Sequence, residues 1–190
     1  MHDDEGLRER LVRAGVELVA QEGSAAVSLR EIARRAGVSH GAPRRYFPTH
    51  VELLSAIARE GFAGLTARLV AVPAGGSPRE RLGGLARAYV AFAQEHRGMY
   101  ELMFRHDLLR SDRLGLRETS LPLFGLLAEL LAATGAGKGD QRAAAGALWA
   151  NLHGIVQLWR WGSLPLATGA ADVTDLVDVA LDAYAGPGAA

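Results

Sequence analysis

Two short helical patterns joined by a tight turn constrain this chain more than any other feature. The first pattern places apolar residues at i, i+3, i+4 and i+7, at Leu29, Ile32, Ala33 and Ala36. Gly37 supplies the left-handed backbone conformation that ends such a helix, and Val38 is placed to fill the angle that follows. These features are typical of a helix–turn–helix, in which two short helices meet at a steep angle.

The rest of the sequence also indicates helices, because Ala, Leu, Arg and Glu recur with helical spacing and strand-like alternation is scarce. Capping boxes mark three helix starts, at Ser28/Glu31, Thr49/Glu52 and Ser77/Glu80. Helices are predicted over Leu7–Gln21, Leu29–Ala36, Ser39 to Tyr46 or Phe47, His50–Val72, Pro78–Glu95, Gly98–Arg105, Leu114–Ala133, Gln141–Trp161 and Val173–Tyr184. We expect Ser39 to cap the third helix, Pro122 to interrupt the one that contains it, and 162–169 to be a connection.

The predicted fold class is therefore all-α, with a three-helix helix–turn–helix domain over residues 1–48 and a larger helical domain over residues 49–190. In the first helix, Gly15 lies on the buried side and leaves room for a close neighbour. Gly61 and Gly64 in the fourth helix either allow close packing or mark a pivot.

Composition excludes several classes of protein. The 190 residues are 49% hydrophobic and 22% charged, which is an ordinary balance for a globular chain. Lys plus Arg and Asp plus Glu both number 21, so the overall charge points to no acidic partner. The absence of Cys removes disulfides, thiolate nucleophiles and zinc–thiolate sites, and the six His show no metal spacing. No metal, cofactor or catalytic residue is expected.

No feature of the sequence predicts a membrane segment. The longest uncharged run, 143–159, contains three polar side chains and falls short of the roughly 18–20 apolar residues that a span needs. The amino terminus, Met1-His2-Asp3-Asp4-Glu5, lacks the basic start and apolar core of a signal peptide. The expectation is a cytoplasmic protein.

The charge of residues 28–47 differs from that of the whole chain. Five arginines occur there against one acid, Glu31. Arginine neutralises phosphate and can form a two-pronged contact with guanine, so the segment is predicted to contact DNA. The other interpretation is a helical hairpin whose arginines are merely solvated. The candidate DNA contacts are Ser28, Arg30, Ser39, His40, Gly41, Ala42, Arg44, Arg45 and Tyr46.

Their expected roles differ. Gly41 and Ala42 are small, so the backbone can approach a groove and bring Arg44 or Arg45 to the base edges. Tyr46 has two open roles, a DNA contact or packing against the first helix, whereas Phe47 is assigned to the core.

Over residues 8–58 the chain resembles the tetracycline-repressor (TetR) family of bacterial regulators. The resemblance rests on Glu22-Gly23, 28–33, Ala36-Gly37-Val38-Ser39, Tyr46-Phe47 and Leu53-Leu54. A further segment, Trp149-x-x-x-His153-Gly154, resembles the Trp-His-Gly (WHG) signature of one C-terminal subgroup. Two positions depart from the family pattern, because Arg44 replaces a usual Tyr and His50 replaces a frequent Lys. Both positions are typically phosphate contacts, so His50 is added to the candidate DNA contacts, while Arg44 is left to contact a phosphate or a base.

The resemblance implies a ligand-responsive regulator, usually a repressor, that binds a palindromic operator as a homodimer and is released by a small effector. Two recognition helices must lie about 34 Å apart to meet successive major grooves, which requires a dimer. In the family the last two helices pair as a four-helix bundle. The alternative for their apolar stripes, which include Leu148, Leu152, Val177 and Leu181, is ordinary core within one chain.

Large aromatic residues with one polar group suit a small and mostly apolar effector. The candidates on the middle helices are Tyr89, Phe92, Tyr100, Met103, Phe104, Phe124, Trp149 and His153. Trp149 and His153 are four residues apart and share a helix face. For each aromatic the alternative is plain core, and His153 has the alternative of bonding a buried carbonyl.

Two other classes of function compete. Gly37-Val38-Ser39-His40-Gly41 matches the Gly-x-Ser-x-Gly nucleophile elbow of hydrolases, but that elbow follows a strand, and here a helix precedes it. The chain is therefore not expected to be an enzyme. The second alternative is a helical small-molecule-binding protein without specific DNA binding, which the departures at Arg44 and His50 favour.

Overall fold

The computed structural model describes residues 2–136 and 139–187, with the side chains of 6–112, 114–136 and 139–187. Within these ranges the chain is predominantly helical and contains no strand, which confirms the all-α fold class. The helices in chain order are α1 (His2–Glu22), α2 (Leu29–Arg35), α3 (Ala42–Tyr46), α4 (His50–Val70), α5 (Pro78–Glu95), α6 (Arg97–Met103), α7 (His106–Ser111), α8 (Leu116–Ala133), α9 (Gln141–Arg160), α10 (Ser163–Thr168) and α11 (Val173–Ala185).

Packing divides the chain into two compact units. The first comprises Met1–Gly64 and His96–Ser120, and the second comprises Leu65–Glu95 and Leu121–Ala190. Helices α4 and α8 contribute residues to both units. The domain boundary expected between residues 48 and 49 is not tested by this division and stays a prediction.

In the first unit, α1 packs against α2, α3 and α6. Its buried stripe includes Leu11 and Leu18, as the helical spacing predicts. A Cβ atom at Gly15 would lie 2.8 Å from Ile57 Cγ1 and 3.2 Å from Ile32 Cδ1. The absence of a side chain at Gly15 therefore allows α1 to approach α2 and α4 closely, which confirms the role expected for this glycine.

In the second unit, α5, α9 and α11 pack against one another, and α10 packs against α9. Val177 and Leu181 of α11 are buried within this chain. Beside this buried stripe, α11 carries acids that bond to α5: Arg79 Nη2 lies 2.5 Å from Asp182 Oδ1, and Arg87 Nη1 lies 3.0 Å from Asp178 Oδ1. The buried apolar side chains and the two Arg–Asp bonds together hold α11 against α5.

Two of the three capping boxes form in both directions. Thr49 and Glu52 exchange two bonds of 3.2 Å, and in the third box Ser77 N donates to Glu80 Oε2 at 2.6 Å while Glu80 N donates to Ser77 Oγ at 3.2 Å. In the first box Glu31 N donates to Ser28 Oγ at 3.2 Å, but the Glu31 carboxylate bonds to two arginines instead of reaching back. The helix starts are nevertheless at the predicted residues.

The prediction that Ser39 caps the third helix was wrong. Helix α3 begins at Ala42 with Gly41 as its N-cap, and Ala42 N bonds to Ser39 O at 3.0 Å in a preceding turn. Pro43 explains the later start. A helix capped by Ser39 would need an N–H at position 43 to bond the Ser39 carbonyl, and proline has none, whereas in the first helical turn no N–H is needed.

Other differences concern proline and short helices. Helix α8 continues through Pro122, so the expected interruption was wrong: the missing N–H removes one backbone bond, and the rest of the helix keeps its own. The connection predicted over 162–169 contains α10, which is bounded by the left-handed glycines Gly162 (φ 75°) and Gly169 (φ 70°). Helix α7 was also not predicted. Six-residue helices show too few periodic positions for sequence spacing to reveal them.

Candidate functional site

The turn between α2 and α3 has a complete Schellman geometry. Gly37 adopts φ 68°, its N–H bonds to Arg34 O at 3.2 Å, and Val38 N bonds to Ala33 O at 3.0 Å. Only glycine adopts this conformation at no steric cost. The motif ends α2 abruptly and sends the chain into the turn that leads to α3, as the sequence predicted.

Helix α3 has one buried side and one exposed side. Pro43 and Phe47 are buried and Tyr46 is half-buried, while Arg44 and Arg45 are exposed. The Arg8 guanidinium from α1 lies over the Phe47 ring, 5.4 Å from its centre. The buried side therefore fastens α3 to α1, and the exposed side has no packing role.

The structure brings the ten candidate DNA contacts together in one segment of the first unit, and none of them is buried. Ala42 and Tyr46 are half-buried, and the others are exposed: Ser28, Arg30, Ser39, His40, Gly41, Arg44, Arg45 and His50. We name the segment 28–50 that carries them the α2–α3 surface. Their role in binding DNA stays a prediction, whereas the position of Phe47 in the core is confirmed.

Two of the five arginines in this segment are held by the protein itself. Glu31 Oε2 accepts from Arg34 Nε at 2.9 Å, and Glu31 Oε1 accepts from Arg35 Nε at 3.0 Å. Arg35 also bonds to Gln21 Oε1 at 2.7 Å and to the carboxylate of Glu22. The bonds from Arg34 and then Arg35 lower the pKa of Glu31 to about 2. The bonds to Glu31 lie within α2, and the bonds of Arg35 to Gln21 and Glu22 connect α2 to the end of α1.

The other three arginines of the α2–α3 surface are different. Among the described residues, the side chains of Arg30, Arg44 and Arg45 have no hydrogen-bond or ion-pair partner. The positive charge of these three exposed side chains is therefore available to an external partner, whereas that of Arg34 and Arg35 is not. Composition could not separate the two sets, because the separation depends on which acid lies within reach.

His50 at the start of α4 has an internal partner. Its Nε2 lies 2.8 Å from the carbonyl oxygen of Val27, the residue that precedes the N-cap of α2. Because a carbonyl only accepts, Nε2 carries the proton and donates. His50 therefore joins α4 to the start of α2, and any phosphate contact has to use Nδ1.

The second unit contains a cluster of aromatic residues with polar groups, which we name the Tyr89 cluster. It comprises Tyr89 of α5, Phe124 of α8, and Arg142, Trp149 and His153 of α9. Trp149 Nε1 donates to Tyr89 Oη at 3.3 Å, and Tyr89 Oη lies 3.0 Å from His153 Nδ1. Trp149 makes edge contacts with Phe124 and His153, at 6.2 Å between ring centres in both cases.

These bonds define the protonation of the Tyr89 cluster. Burial lowers the pKa of His153 below its usual value, so the ring is neutral near pH 7. Tyr89 Oη accepts a hydrogen bond from Trp149 and donates its own proton to His153 Nδ1. Because Nδ1 then accepts, the proton of the neutral imidazole lies on Nε2. Trp149 is 38% exposed and His153 is half-buried, so solvent reaches the cluster.

The remaining ligand candidates lie elsewhere. Phe92 is buried in the second unit. Tyr100, Met103 and Phe104 belong to the first unit, where Phe104 makes edge contacts with Phe62 at 5.7 Å and with Tyr100 at 4.9 Å. A Cβ atom at Gly61 would lie 2.7 Å from Met103 Sδ and from Met99 Cγ, so Gly61 serves close packing of α4 on α6. A contact of these residues with a ligand stays a prediction.

Sequence reasoning missed one member of the Tyr89 cluster. The Arg142 guanidinium lies over the Phe124 ring, 5.3 Å from its centre. Arg142, Trp149 and His153 are spaced i, i+7 and i+11 along α9, which places them on one face. That spacing was available in the sequence, and it could have found Arg142.

Helix α9 also has an exposed face of small and apolar residues. Its exposed members recur at helical spacing, with the half-buried Gly154 in the same row: Ala143, Ala147, Ala150, Leu158 and, just after the helix, Trp161. Trp161 is 72% exposed, and a Cβ atom at Gly154 would meet nothing within 4 Å. Leu148 and Leu152, which the sequence offered for dimer pairing or core, are buried within this chain. Any pairing of two chains through α9 therefore has to use the exposed face.

Two family models match the chain. The model described as "Bacterial regulatory proteins, tetR family" matches residues 11–57, and the model described as "Tetracyclin repressor-like, C-terminal domain" matches residues 82–184. The chain belongs to the tetR family. The resemblance of this tetR-family chain to the WHG subgroup is not confirmed by these matches and stays a prediction.

Individual relatives agree with the family. The HTH-type transcriptional regulator BetI of Rhizobium meliloti (strain 1021) is 38% identical over 81 residues, which are 42% of this chain and 40% of BetI. The aligned stretch thus spans about two fifths of this curated relative. A solved structure of a protein with unknown function from Rhodococcus sp. RHA1 is 33% identical, with a TM-score of 0.79, and the match covers 94% of this chain and 93% of that one.

A further solved structure contains a bound small molecule. It is the multidrug binding protein EbrR complexed with imidazole, which is 28% identical with a TM-score of 0.59, over 95% of this chain and 96% of EbrR. Among the described residues of the tetR-family chain, no helix is both long and apolar enough to cross a membrane. Within the same residues, no group of three or more His, Asp or Glu is placed to hold a metal ion.

Proposed function

We propose that this tetR-family chain is a ligand-responsive transcriptional regulator, a repressor that binds a palindromic operator as a homodimer through the α2–α3 surface. The observation that carries the proposal is a set of exposed arginines without side-chain partners among the described residues, on a protein whose overall formal charge is zero: Arg30, Arg44 and Arg45. A guanidinium that has no internal carboxylate gains a partner when it meets a phosphate, and counterions are released into solution.

The rigidity of the α2–α3 surface supports the same function. Arg10 of α1 donates to the carbonyl of Ala36 at the end of α2 at 2.8 Å, and Arg35 bonds to the end of α1. The Gly37 turn and the buried Pro43 fix α3. A recognition helix held in this way loses little conformational freedom on binding, which favours affinity.

The exposed face of α9 supports dimerisation. Ala143, Ala147 and Ala150 allow two helix backbones to approach closely, and Leu158 and Trp161 offer apolar area that solvent now contacts. A second copy of the chain, packed on this face, would hold two α3 helices together for successive major grooves, about 34 Å apart. A lone chain meets only half of a palindrome.

The Tyr89 cluster is the proposed effector site. It combines aromatic walls, one cation at Arg142 and polar groups that are already hydrogen-bonded to one another, which suits a small and mostly apolar molecule. EbrR, which has the same fold, is described as a multidrug binding protein, and this supports a small-molecule ligand for the present chain. A coupling of about 1–3 kcal/mol between effector and operator would change DNA affinity roughly 5- to 150-fold.

The test is a binding titration of the full chain against DNA from upstream of its own gene, at several salt concentrations. A regulator gives a steep negative slope of log affinity against log salt, together with a preference over unrelated DNA. The variants Arg44→Ala and Arg45→Ala should weaken binding, whereas Arg97→Ala removes an exposed arginine from α6 and serves as the matched control. Equal and weak binding to all DNA by the wild type would overturn the proposal.

One observation favours the second candidate, a small-molecule-binding protein without specific DNA binding. His50, where the family often has a phosphate-binding Lys, donates its Nε2 proton to Val27. The same titration separates the candidates, because a protein of this second kind shows neither the salt slope nor the sequence preference.

A further inference from the structure

The two exposed arginines of α3 occupy different positions around the helix axis. Successive residues are separated by about 100°. Pro43, Tyr46 and Phe47 define the side that faces the protein. Arg45 lies about 150° from the middle of that side, and Arg44 lies about 110° from it. Arg45 is therefore central on the outward face, and Arg44 is at its edge.

The residues before Arg45 leave space for its side chain. Helical side chains lean toward the N-terminus, so the Arg45 side chain lies over the turn that contains Gly41, four residues earlier. Gly41 is exposed, and a Cβ atom there would meet nothing within 4 Å. A long guanidinium side chain at position 45 can therefore extend past the first turn of α3 without a competing side chain.

The guanidinium of Arg45 is also available. Arg34 and Arg35 on α2 differ from it, because both are bonded to the carboxylate of Glu31. Among the described residues Arg45 has no such bond. A central, unpaired guanidinium facing a major groove matches the O6 and N7 acceptors of guanine, which it can bond through two parallel N–H groups.

The position of Arg44 indicates another partner. An arginine at the edge of the outward face is directed toward the walls of the groove, where the phosphates lie. The Nε2 proton of His50 is already donated to Val27, so this nitrogen does not donate to a phosphate. Among the described residues the Arg44 guanidinium has no internal partner, so it is available to one.

We infer that Arg45 contacts a guanine in each operator half-site through two hydrogen bonds, and that Arg44 binds a backbone phosphate. This inference rests on the proposed function and adds to it. It assigns the operator a G·C base pair at one fixed position of each half-site, and it assigns sequence discrimination at that position to a single side chain.

The test is selection of bound duplexes from a random pool by the full-length wild type and by Arg45→Ala, Arg45→Lys and Arg44→Ala. The wild type should select a G·C pair at one position of each half. With Arg45→Ala the preference for that pair should fall about 5- to 150-fold, while preferences at the other positions remain. Arg45→Lys keeps the charge, so the preference should fall while the salt slope stays the same.

Arg44→Ala should behave in the opposite way. It should weaken binding to all selected duplexes alike, leave the base preferences unchanged, and reduce the salt slope by about one. Circular dichroism of each variant confirms that the fold is intact, which is expected because both side chains are exposed.

The outcomes separate the inference from the function on which it rests. Selection of no sequence by the wild type would overturn both. Selection of an operator whose G·C preference survives in Arg45→Ala would overturn the inference and leave the proposed function standing. Loss of a base preference in Arg44→Ala, with none in Arg45→Ala, would reverse the assignment of the two arginines.

Discussion

Phe62 of α4 and Tyr100 of α6 are almost completely shielded from solvent, whereas Phe124, Trp149 and His153 of the Tyr89 cluster are partly exposed. Phe62 is 1% exposed and Tyr100 is 0% exposed, and both rings touch Phe104. Trp149 is 38% exposed, and its indole nitrogen is hydrogen-bonded to Tyr89. We name Phe62, Tyr100 and Phe104 the Phe62 cluster. Both clusters contain a Tyr and a Phe, and each has two rings from residues four positions apart in sequence, so this spacing alone does not distinguish a packed core from an accessible cluster.

What distinguishes them is polarity and access. Next to Phe62 in α4, a Cβ atom at Gly61 would lie 2.7 Å from Met99 Cγ and from Met103 Sδ, so this region has no room for another molecule. The Tyr89 cluster combines a phenol, an indole, an imidazole and a guanidinium in one place. We therefore expect substitutions in the first cluster to change stability, and substitutions in the second to change ligand response with smaller effects on stability.

The largest effect is expected for Phe62→Ala. Removal of a buried ring leaves a cavity, and the free energy of unfolding should fall by about 3–5 kcal/mol. Urea unfolding measures it, with Phe124→Ala in the half-buried Tyr89 cluster as the comparison. Similar losses for the two variants would show that both clusters are core.

Gly61→Val should have the next largest effect. Added side-chain atoms would overlap Met99 and Met103, and strain in a packed core costs about 1–3 kcal/mol. Gly125→Ala in α8 is the control, because a Cβ atom there meets nothing within 4 Å and alanine favours helix by about 0.5–1 kcal/mol. Thermal unfolding of the two variants should shift in opposite directions. A stabilised Gly61→Val would contradict close packing of α4 on α6.

Tyr89→Phe should cost about 1 kcal/mol, because it removes the hydroxyl that Trp149 and His153 share. Tryptophan fluorescence should also change, since the Trp149 indole loses a bond. Unfolding curves followed by fluorescence report both quantities. Tyr184→Phe on α11 is a comparable change outside the cluster, and an equal response of the two variants would remove the special role of Tyr89.

The smallest effect is a pH dependence. The pKa of His153 is lower in the folded chain than in the unfolded chain, because burial disfavours the charged ring. The unfolded chain then binds more protons, so this contribution to stability is complete above about pH 6.5 and decreases as the pH falls toward the folded pKa.

The urea midpoint measured between pH 5 and pH 8 tests this linkage. His153→Gln should flatten the dependence that the wild type shows, whereas His106→Gln, at an exposed position, should not. If His153→Gln leaves the pH profile unchanged, the pKa of His153 is the same in the folded chain as in the unfolded chain, which contradicts the prediction.

Much of the fold could be predicted from local signals. The starts of α2, α4 and α5 follow from their caps, and the end of α2 follows from Gly37, because these signals act over four or five residues. The start of α3 was predicted wrongly, since the demand of Pro43 on its backbone outweighed the capping preference of Ser39.

The site could be predicted only in part, because its properties depend on partners distant in sequence. The candidates for ligand contact divide between two units, and spacing along one helix does not show which ring meets which. The bond between His50 and Val27 joins residues 23 positions apart, and the pairing of Arg35 with Glu22 joins residues 13 positions apart. Charge counting treats all five arginines alike, whereas the fold assigns two of them to the scaffold.

The division of α3 into a buried and an exposed side has an evolutionary consequence. Pro43 and Phe47 anchor the helix, while Arg44 and Arg45 carry no packing energy. Replacements at 44 and 45 can therefore accumulate after a gene duplication without endangering folding. With the operator contacts that we propose for Arg44 and Arg45, one or two substitutions there would give a daughter copy new target genes while its architecture is inherited intact.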